Sequence, residues 1–277
     1  MTILLLSAFL VSEVQAQAPS ALKSPQKTPV EARVEVARLT FAEGGVEFQR
    51  PGGAWMKVTE DQALFIGDRV RTLRGGTTRL EFPWTAIAMG DSSEVSIEDN
   101  RVLTLQLERG RIDLDPELTL PRVVTAEAAV SGSGRTLVRR EGTTTFVASY
   151  NGGAAVEAAG TLVRLGINKG TVVNAGVGPS EPLVMSQAPR VVSPSADPRY
   201  VRPGEIVRLT WTGRESAYHL DVLSIDSDVP VISLDIGGSE FDLRLNWLGT
   251  FRWRVSGRTG AVESQASGEG LICVVEK

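Results

Sequence analysis

The sequence predicts an all-β protein. Apolar residues alternate with polar ones through most of the chain, as at Leu103, Leu105 and Leu107, and this spacing places side chains on opposite faces of a strand. Glycine-rich turn signals, such as residues 51–53 and 151–153, separate these short apolar segments. Because helix signals are nearly absent, the pattern favours a sandwich, a barrel or a solenoid of strands.

The composition excludes several classes of protein. The 277 residues carry a formal net charge of -4 and are 42% hydrophobic, which is unlike a disordered chain, a collagen or a basic nucleic-acid-binding protein. The longest clean apolar run, residues 3–11, has about nine residues, against the roughly 20 of a membrane-spanning helix. We therefore expect no nucleic-acid partner and no transmembrane segment in the mature protein.

The N-terminus resembles a secretory signal peptide. The apolar residues 3–11 are followed by a polar stretch that ends in Ala16, with small residues where a signal peptidase cleaves. We place cleavage after Ala16, because cleavage after Ala18 would leave Pro19 next to the cut. No basic residue precedes the apolar run, a feature that an upstream start codon would supply. The alternative is a buried N-terminal strand or short helix.

This N-terminal pattern predicts export. The predicted signal peptide covers residues 1–16, and residues 17–30, rich in Pro, Ser, Ala and Gln, are expected to form a flexible leader. The mature protein would be periplasmic or extracellular in a bacterium. Its single cysteine, Cys273, lies in an apolar terminal segment and is expected to pack as a small hydrophobe; the alternative is a disulfide between two chains.

A proline-rich stretch divides the chain. Six prolines occur between residues 176 and 203, and such spacing cannot sustain a central strand because proline lacks the N–H that a sheet requires. We therefore predict a first domain at residues 31–182, a linker at residues 183–198 and a second domain at residues 199–277.

The second domain is predicted to be a small β-sandwich. It contains about seven short apolar segments in fewer than 80 residues. Trp211 and Trp253 are expected to fill the space between its two sheets. Residues 248–255, LGTFRWRV, resemble a strand of fibronectin type III-like and immunoglobulin-like modules. This resemblance implies a fold but no specific function.

The first domain contains a more specific pattern. Trp55 is followed by the run GDRVRT at residues 67–72, by alternating apolar segments, and by a Leu-x-x-Gly phrase at Leu107 and Gly110. This pattern resembles the FecR domain, the extracytoplasmic part of the iron-dicitrate sensor family, over roughly residues 36–176. The resemblance implies a solenoid-like stack of β-hairpins that bury alternating Leu, Val and Ile side chains.

The FecR resemblance also implies a kind of function. Members of that family carry a cytoplasmic segment that regulates a sigma factor, a membrane helix, and then this domain, which receives a signal from an outer-membrane transporter. Because the resemblance covers only the extracytoplasmic domain, we expect a protein contact or a structural role rather than direct anti-sigma activity. Two turns depart from the family pattern: residues 83–85 replace Asp-Gly-Ser, and residues 142–146 carry an extra threonine.

The Gly-Asp pair and the arginines after it are candidate site residues. Gly67 can adopt a left-handed backbone conformation and Asp68 can accept hydrogen bonds from nearby amides, so we interpret this pair as a structural turn. Arg69 and Arg71 flank Val70, which places both guanidinium groups on one face of a strand. That face is either solvated or contacts an anion or a protein partner.

Residues that support catalysis are scarce. The single histidine, His219, is expected on the exposed face of a strand, where neither a catalytic nor a metal-binding role is favoured. The acidic pairs within residues 113–115 and 226–228 lack the rest of a calcium loop, and the glycines of residues 132–134 open no helix. The sequence therefore predicts no catalytic residue, no metal ion and no cofactor.

Two functions remain open. The first is a non-enzymatic protein-binding, signalling or structural module of the cell envelope, which binds another envelope protein through Arg69 and Arg71. The second is a glycan-binding module for peptidoglycan or surface polysaccharide, which uses Trp84 and Trp247 as exposed aromatic platforms. Burial of both tryptophans would remove the support for the second function.

Overall fold

The computed structural model describes residues 33–58, 61–99, 102–114, 121–227, 229–259 and 262–276. Within these residues the chain forms 26 strands and no helix, so the prediction of an all-β protein is confirmed. This part of the chain accordingly offers no apolar helix of the length that a bilayer requires. The predicted signal peptide and leader lie outside the described residues and stay predictions.

The first 17 strands build two long sheets that share one strand. Their bounds are β1 Glu35–Glu43, β2 Val46–Gln49, β3 Trp55–Lys57, β4 Gln62–Phe65, β5 Arg69–Thr72, β6 Thr77–Phe82, β7 Thr85–Met89, β8 Glu94–Asp99, β9 Leu103–Leu114, β10 Arg122–Val124, β11 Ala129–Ser133, β12 Thr136–Glu141, β13 Thr144–Ser149, β14 Gly153–Ala158, β15 Thr161–Leu165, β16 Lys169–Asn174 and β17 Leu183–Val184.

The order of these strands shows why β9 is central. Sheet I has the order β4-β1-β6-β7-β9-β12-β13-β16-β17. Sheet II has the order β3-β2-β5-β8-β9-β10-β11-β14-β15. Neighbouring strands run antiparallel except β9 and β10, which are parallel. Strand β9 is therefore the point at which the two sheets become one continuous structure.

The inward faces of sheets I and II enclose the main hydrophobic core. Sheet I contributes Leu39, Leu80 and Ile112, and sheet II contributes Val70 and Leu105, all with no exposed surface. The residues between them along each strand face outward, because successive side chains of a strand point to opposite faces. The outward faces of both sheets are thus left for contacts outside this core.

Strand β9 passes from sheet II to sheet I at Gly110. Its first half pairs with β8 and β10, and its second half pairs with β7 and β12. Gly110 has a φ of 85°, and a Cβ at this position would lie 2.3 Å from Ser93 Oγ. The Ser93 hydroxyl is held there because it accepts a hydrogen bond from the Arg111 backbone N–H at 2.8 Å. Glycine is therefore required both for the backbone angle and for the space.

The last nine strands form two smaller sheets around a second core. The bounds of these strands are β18 Arg190–Ser193, β19 Arg199–Val201, β20 Ile206–Thr212, β21 Ala217–Ser224, β22 Pro230–Gly237, β23 Glu240–Arg244, β24 Gly249–Thr259, β25 Val262–Ala266 and β26 Gly270–Val274. Sheet III has the order β18-β20-β23. Sheet IV has the order β19-β26-β24-β21-β22, and β25 pairs with β24.

The second core centres on Trp211 and Trp253. Both side chains are buried, as the sequence predicted, and their ring centroids lie 6.2 Å apart. Trp211 also meets Tyr218 edge to face, at 5.5 Å between centroids. Large aromatic side chains that contact both sheets supply much of the apolar area that such a small sandwich can bury.

The region predicted as a linker contains regular structure. Strand β18 falls within residues 183–198 and pairs with β20 at the edge of sheet III, where the prolines that follow it disrupt no central strand. Val34–Lys277 form one compact unit, in which sheet IV packs against the outer face of sheet I. The boundaries of the two domains stay predictions.

Replacing Gly110 by alanine should lower the free energy of unfolding by about 3 kcal/mol or more, because the strain of a positive φ adds to a clash with Ser93. G142A is the matched control: Gly142 also has a positive φ, 59°, but a Cβ there would meet nothing within 4 Å. That variant should lose only about 1 kcal/mol. Urea unfolding followed by circular dichroism measures both losses, and equal losses would show that Ser93 yields without cost.

Candidate functional site

The predicted Gly-Asp turn lies between β4 and β5. Gly67 has a φ of 84°, in the left-handed region that glycine adopts at little cost. Asp68 is completely buried, and its Oδ2 accepts a hydrogen bond from the Phe65 backbone N–H at 2.8 Å and another from the Arg50 guanidinium. This carboxylate therefore closes the turn between two strands and faces Arg50 rather than solvent.

Arg69 and Arg71 extend from β5 on the outer face of sheet II. Arg69 forms an ion pair with Glu94 of β8, and Arg71 donates from Nε to Glu47 Oε2 of β2 at 2.7 Å. Both guanidinium groups also lie over the ring of Trp55, with 5.5 Å from Arg69 Cζ and 4.1 Å from Arg71 Cζ to the ring centroid. The two arginines thus share one face of the strand and one aromatic neighbour.

Five charged side chains form a row across this face, which we call the charged ladder: Lys57, Glu47, Arg71, Glu94 and Arg109. Each residue lies opposite the next on the neighbouring strand, from β3 through β2, β5 and β8 to β9. The charges alternate in sign along the row, and opposite charges on facing positions stabilise a sheet by roughly 0.2–1 kcal/mol per pair. The ladder presents a patterned, partly exposed surface beside Trp55.

Trp84 and Trp247 both expose part of their rings. Trp84 lies in the turn between β6 and β7 with 45% of its surface exposed. Trp247 lies between β23 and β24 with 46% exposed. Neither side chain belongs to a hydrophobic core, so each has surface available for contact with a ligand.

His219 is buried, and the prediction that it is exposed is wrong. Strand β21 is covered on both faces, because Tyr218 faces the second core while His219 faces the outer surface of sheet I. The His219 Nδ1 atom lies 2.7 Å from Asp235 Oδ1. Its Nε2 atom lies 2.9 Å from Ser233 Oγ and 3.3 Å from Asp221 Oδ1. Both ring nitrogens are therefore engaged.

Sheet IV meets the outer face of sheet I along a contact that we call the seam. The buried histidine belongs to a group at this contact that we call the seam cluster: Arg111, His219, Asp221, Asp235 and Glu263. Arg111, on β9, supplies the connection to sheet I. Its Nη1 lies 2.7 Å from both carboxylate oxygens of Glu263 on β25, and its Nε donates to Asp113 at 2.8 Å. Fewer than one tenth of the side-chain surface of Arg111 or Glu263 is exposed. The cluster thus binds the second part of the chain to the first through charge.

Further contacts surround the seam cluster. Arg254 pairs with Asp221 at 3.3 Å. Arg258 of β24 pairs with Asp235 and also reaches Glu141 of β12 at 2.8 Å, so it crosses the seam. A small apolar cluster completes the contact between the two parts: Leu137, Ala148, Tyr150, Met185 and Val262.

The protonation states in the seam cluster are set by the pairing of its members with one another. Burial and the charge of Arg111 oppose protonation of His219, but hydrogen bonds to Asp221 and Asp235 outweigh them and raise its pKa to about 9. Burial also opposes ionisation of Asp221 and Glu263, but His219 and Arg111 respectively outweigh it and lower the pKa of each carboxyl group. At neutral pH the cluster therefore holds a protonated histidine among ionised carboxylates.

This charge state limits the chemistry of the seam cluster. A protonated imidazole has no lone pair with which to accept a proton, and both ring nitrogens of His219 are already engaged by Asp235, Ser233 and Asp221. Within the residues that the structure describes, no three metal-ligating side chains converge. The arrangement instead acts as a set of interlocking ion pairs that holds sheet IV on sheet I.

The seam cluster could not be found from spacing in the sequence. Arg111 and Glu263 are 152 residues apart, and the cluster draws its members from β9, β21, β22 and β25. The one available signal is that His219 and Asp221 alternate on an otherwise apolar strand, with Asp235 on the next. The same alternation is typical of a solvated face, so it predicts an exposed His219.

Comparisons with known proteins yield matches among solved structures. No family model and no curated protein matches the chain. Twenty-six chains of solved structures match it. Among them are two crystal structures of a protein from Parabacteroides distasonis ATCC 8503 described as a "putative anti-sigma factor", with TM-scores of 0.36 and 0.35 and sequence identities of 19% and 18%. Each match covers 42% of this chain and 57% of the other, so this chain spans little more than half of that neighbour's length.

The free energy of unfolding should fall as the pH rises through about 9. The pKa of His219 is about 9 in the folded protein and about 6.5 in an unfolded chain. Its contribution is therefore complete below pH ~6.5, is lost above pH ~9, and amounts to about 3 kcal/mol at most. Urea unfolding across this range measures the slope. The variant H219Q should lose most of this dependence of the free energy of unfolding on pH, since the chain has no other histidine. The same dependence in both proteins would contradict a protonated His219.

Proposed function

We propose that this protein is a non-enzymatic module exported to the bacterial cell envelope, where it binds another envelope protein in a signalling or structural role. The FecR-like pattern of the first domain supports the class of function, and the signal peptide expected at residues 1–16 supports the location. The observation that carries the proposal is the charged ladder beside Trp55.

The charged ladder, together with Arg69 and Trp55 beside it, has the composition of a protein contact surface. Tryptophan and arginine are the residues most enriched at the positions that dominate interface energies, and here two arginines lie over the Trp55 ring. Because Glu47 and Glu94 already hold these guanidinium groups, little side-chain entropy would be lost when a partner binds. The alternating charges favour a partner surface with a complementary row, which adds specificity.

The exposure of the arginines leaves them accessible to a partner. The Arg69 side chain is 41% exposed and that of Arg71 is 26% exposed. Ion pairs at this level of exposure contribute about 0–1 kcal/mol each to stability. Their removal should therefore affect binding far more than folding, which makes the surface testable by substitution.

The double variant R69A/R71A should lose partner binding. A pull-down of residues 17–277 from cell-envelope extract identifies the partner by mass spectrometry, and calorimetry with the purified partner then measures the dissociation constant. Loss of two arginines that dominate an interface should weaken binding by about 100-fold. R208A is the matched control, since it removes an exposed ion pair with Asp242 on sheet III. Equal affinity for the double variant and the wild type would exclude the charged ladder as the contact.

The partial exposure of Trp84 and Trp247 favours a second candidate function, glycan binding. Exposed aromatic rings can pack against the apolar faces of sugar rings. In this case W84A and W247A should each reduce retention on insoluble peptidoglycan or polysaccharide, while R69A/R71A should bind as the wild type does. A sedimentation assay separates the two functions. Unchanged retention of both tryptophan variants would rule out these rings as the platform.

A further inference from the structure

A cavity of about 530 Å³ opens at the seam, beside the seam cluster. Both parts of the chain form its walls. The first part supplies the segments around Gly75 and Ser92 with strands β9 and β12, and the second part supplies β21 and β22. Five arginines and the histidine line it: Arg74, Arg109, Arg111, Arg139, Arg140 and His219.

The acid partners of three of these arginines lie outside the cavity lining: Glu94 pairs with Arg109, Glu127 with Arg140, and Glu263 with Arg111. Arg140 uses all three of its nitrogens, because Nε and Nη2 donate to Glu127 and Nη1 donates to the Glu108 carbonyl, whereas Arg109 meets Glu94 through Nη2. Arg74 is exposed and makes no ion pair with any residue that the structure describes. The lining therefore retains donors that face no acid.

Three acids share the lining, and each is already engaged. Asp91 Oδ1 accepts a hydrogen bond from the Gly75 backbone N–H at 2.6 Å. Glu141 and Asp235 both pair with Arg258, which is not part of the lining. These carboxylates are thus neutralised in part by a cation outside the cavity, which reduces their repulsion of an incoming anion.

Arg139 has hydrogen-bond donors that the protein does not use. The residue is 4% exposed, and its guanidinium lies over the Phe146 ring, 4.5 Å from Cζ to the centroid. Neither Nε nor Nη1 donates a hydrogen bond. Nη1 lies 3.3 Å from Glu141 Oε1 in an ion pair without hydrogen-bond geometry. A buried N–H without an acceptor is costly, and because both atoms are themselves buried, a shift of the Arg139 side chain toward the cavity would let an oxyanion supply that acceptor.

We propose that this cavity binds a phosphate group, as inorganic phosphate or as the phosphomonoester of a small molecule. Arginine presents its donors in a planar fork that matches phosphate oxygens, and several arginines around one cavity suit a multiply charged anion. The volume exceeds that of a single phosphate and falls in the range of small-molecule sites. His219 adds no free donor, because both of its ring nitrogens are engaged by Asp235, Ser233 and Asp221.

Isothermal titration of residues 17–277 with inorganic phosphate and with glycerol 3-phosphate, at constant ionic strength in chloride buffer, tests the proposal. Both ligands should bind, and glycerol 3-phosphate should bind at least as tightly. R139Q and R74A should each weaken binding by about tenfold, the loss expected for one charge-assisted contact. R208A, which removes an exposed arginine on sheet III, should bind as the wild type does.

The variants keep the test decisive. Arg74 is exposed, so R74A will fold even if the buried Arg139 does not tolerate substitution. Absence of binding by either phosphate ligand, or equal weakening by R208A, would overturn the proposal. A third titration with vesicles that contain phosphatidic acid distinguishes a lipid headgroup from a soluble phosphate. Binding to vesicles alone would also overturn it, since a bilayer cannot enter the seam.

Discussion

Strand β9 is the constraint on which the other contacts depend. At Gly110 it leaves sheet II and enters sheet I, and the next residue, Arg111, carries its guanidinium to the outer face of sheet I. That group is buried, and Asp113 on the same strand satisfies its Nε, so Nη1 requires an acceptor from elsewhere. Glu263 of β25 meets this requirement. One bend in one strand thus joins the two long sheets and sets the place where the second part packs.

Charged groups, rather than apolar ones, occupy the centre of the contact between sheet IV and sheet I. The apolar cluster at this contact is small. The desolvation of buried charges offsets much of their attraction, so such pairs add little net stability, whereas loss of one partner leaves a costly unpaired charge. The seam cluster therefore chiefly fixes the position of sheet IV on sheet I, because a displacement of β21 or β25 would separate His219 or Glu263 from its partners.

The two proposed contact surfaces meet at Arg109. This residue ends the charged ladder through Glu94 and also lines the cavity at the seam. A protein on the ladder and a phosphate group in the cavity would therefore compete for, or share, the donors of one guanidinium group. Any such effect is reciprocal: if the bound protein changes the affinity for phosphate by some factor, bound phosphate changes the affinity for the protein by the same factor. This shared side chain directly precedes the bend at Gly110, where β9 passes from sheet II to sheet I.

Alternation and glycine-rich turns are local properties, so the strands, the turns between them and the inward positions of Trp211 and Trp253 can be predicted from the sequence. These local patterns do not show what covers the outer face of a strand, so they predict an exposed His219, whereas the residue is buried. The packing of sheet IV on sheet I, and the contact of Arg111 with Glu263 across 152 residues, are visible in the folded chain alone. No local pattern encodes such a contact, since burial on both faces of a strand depends on which distant element packs there.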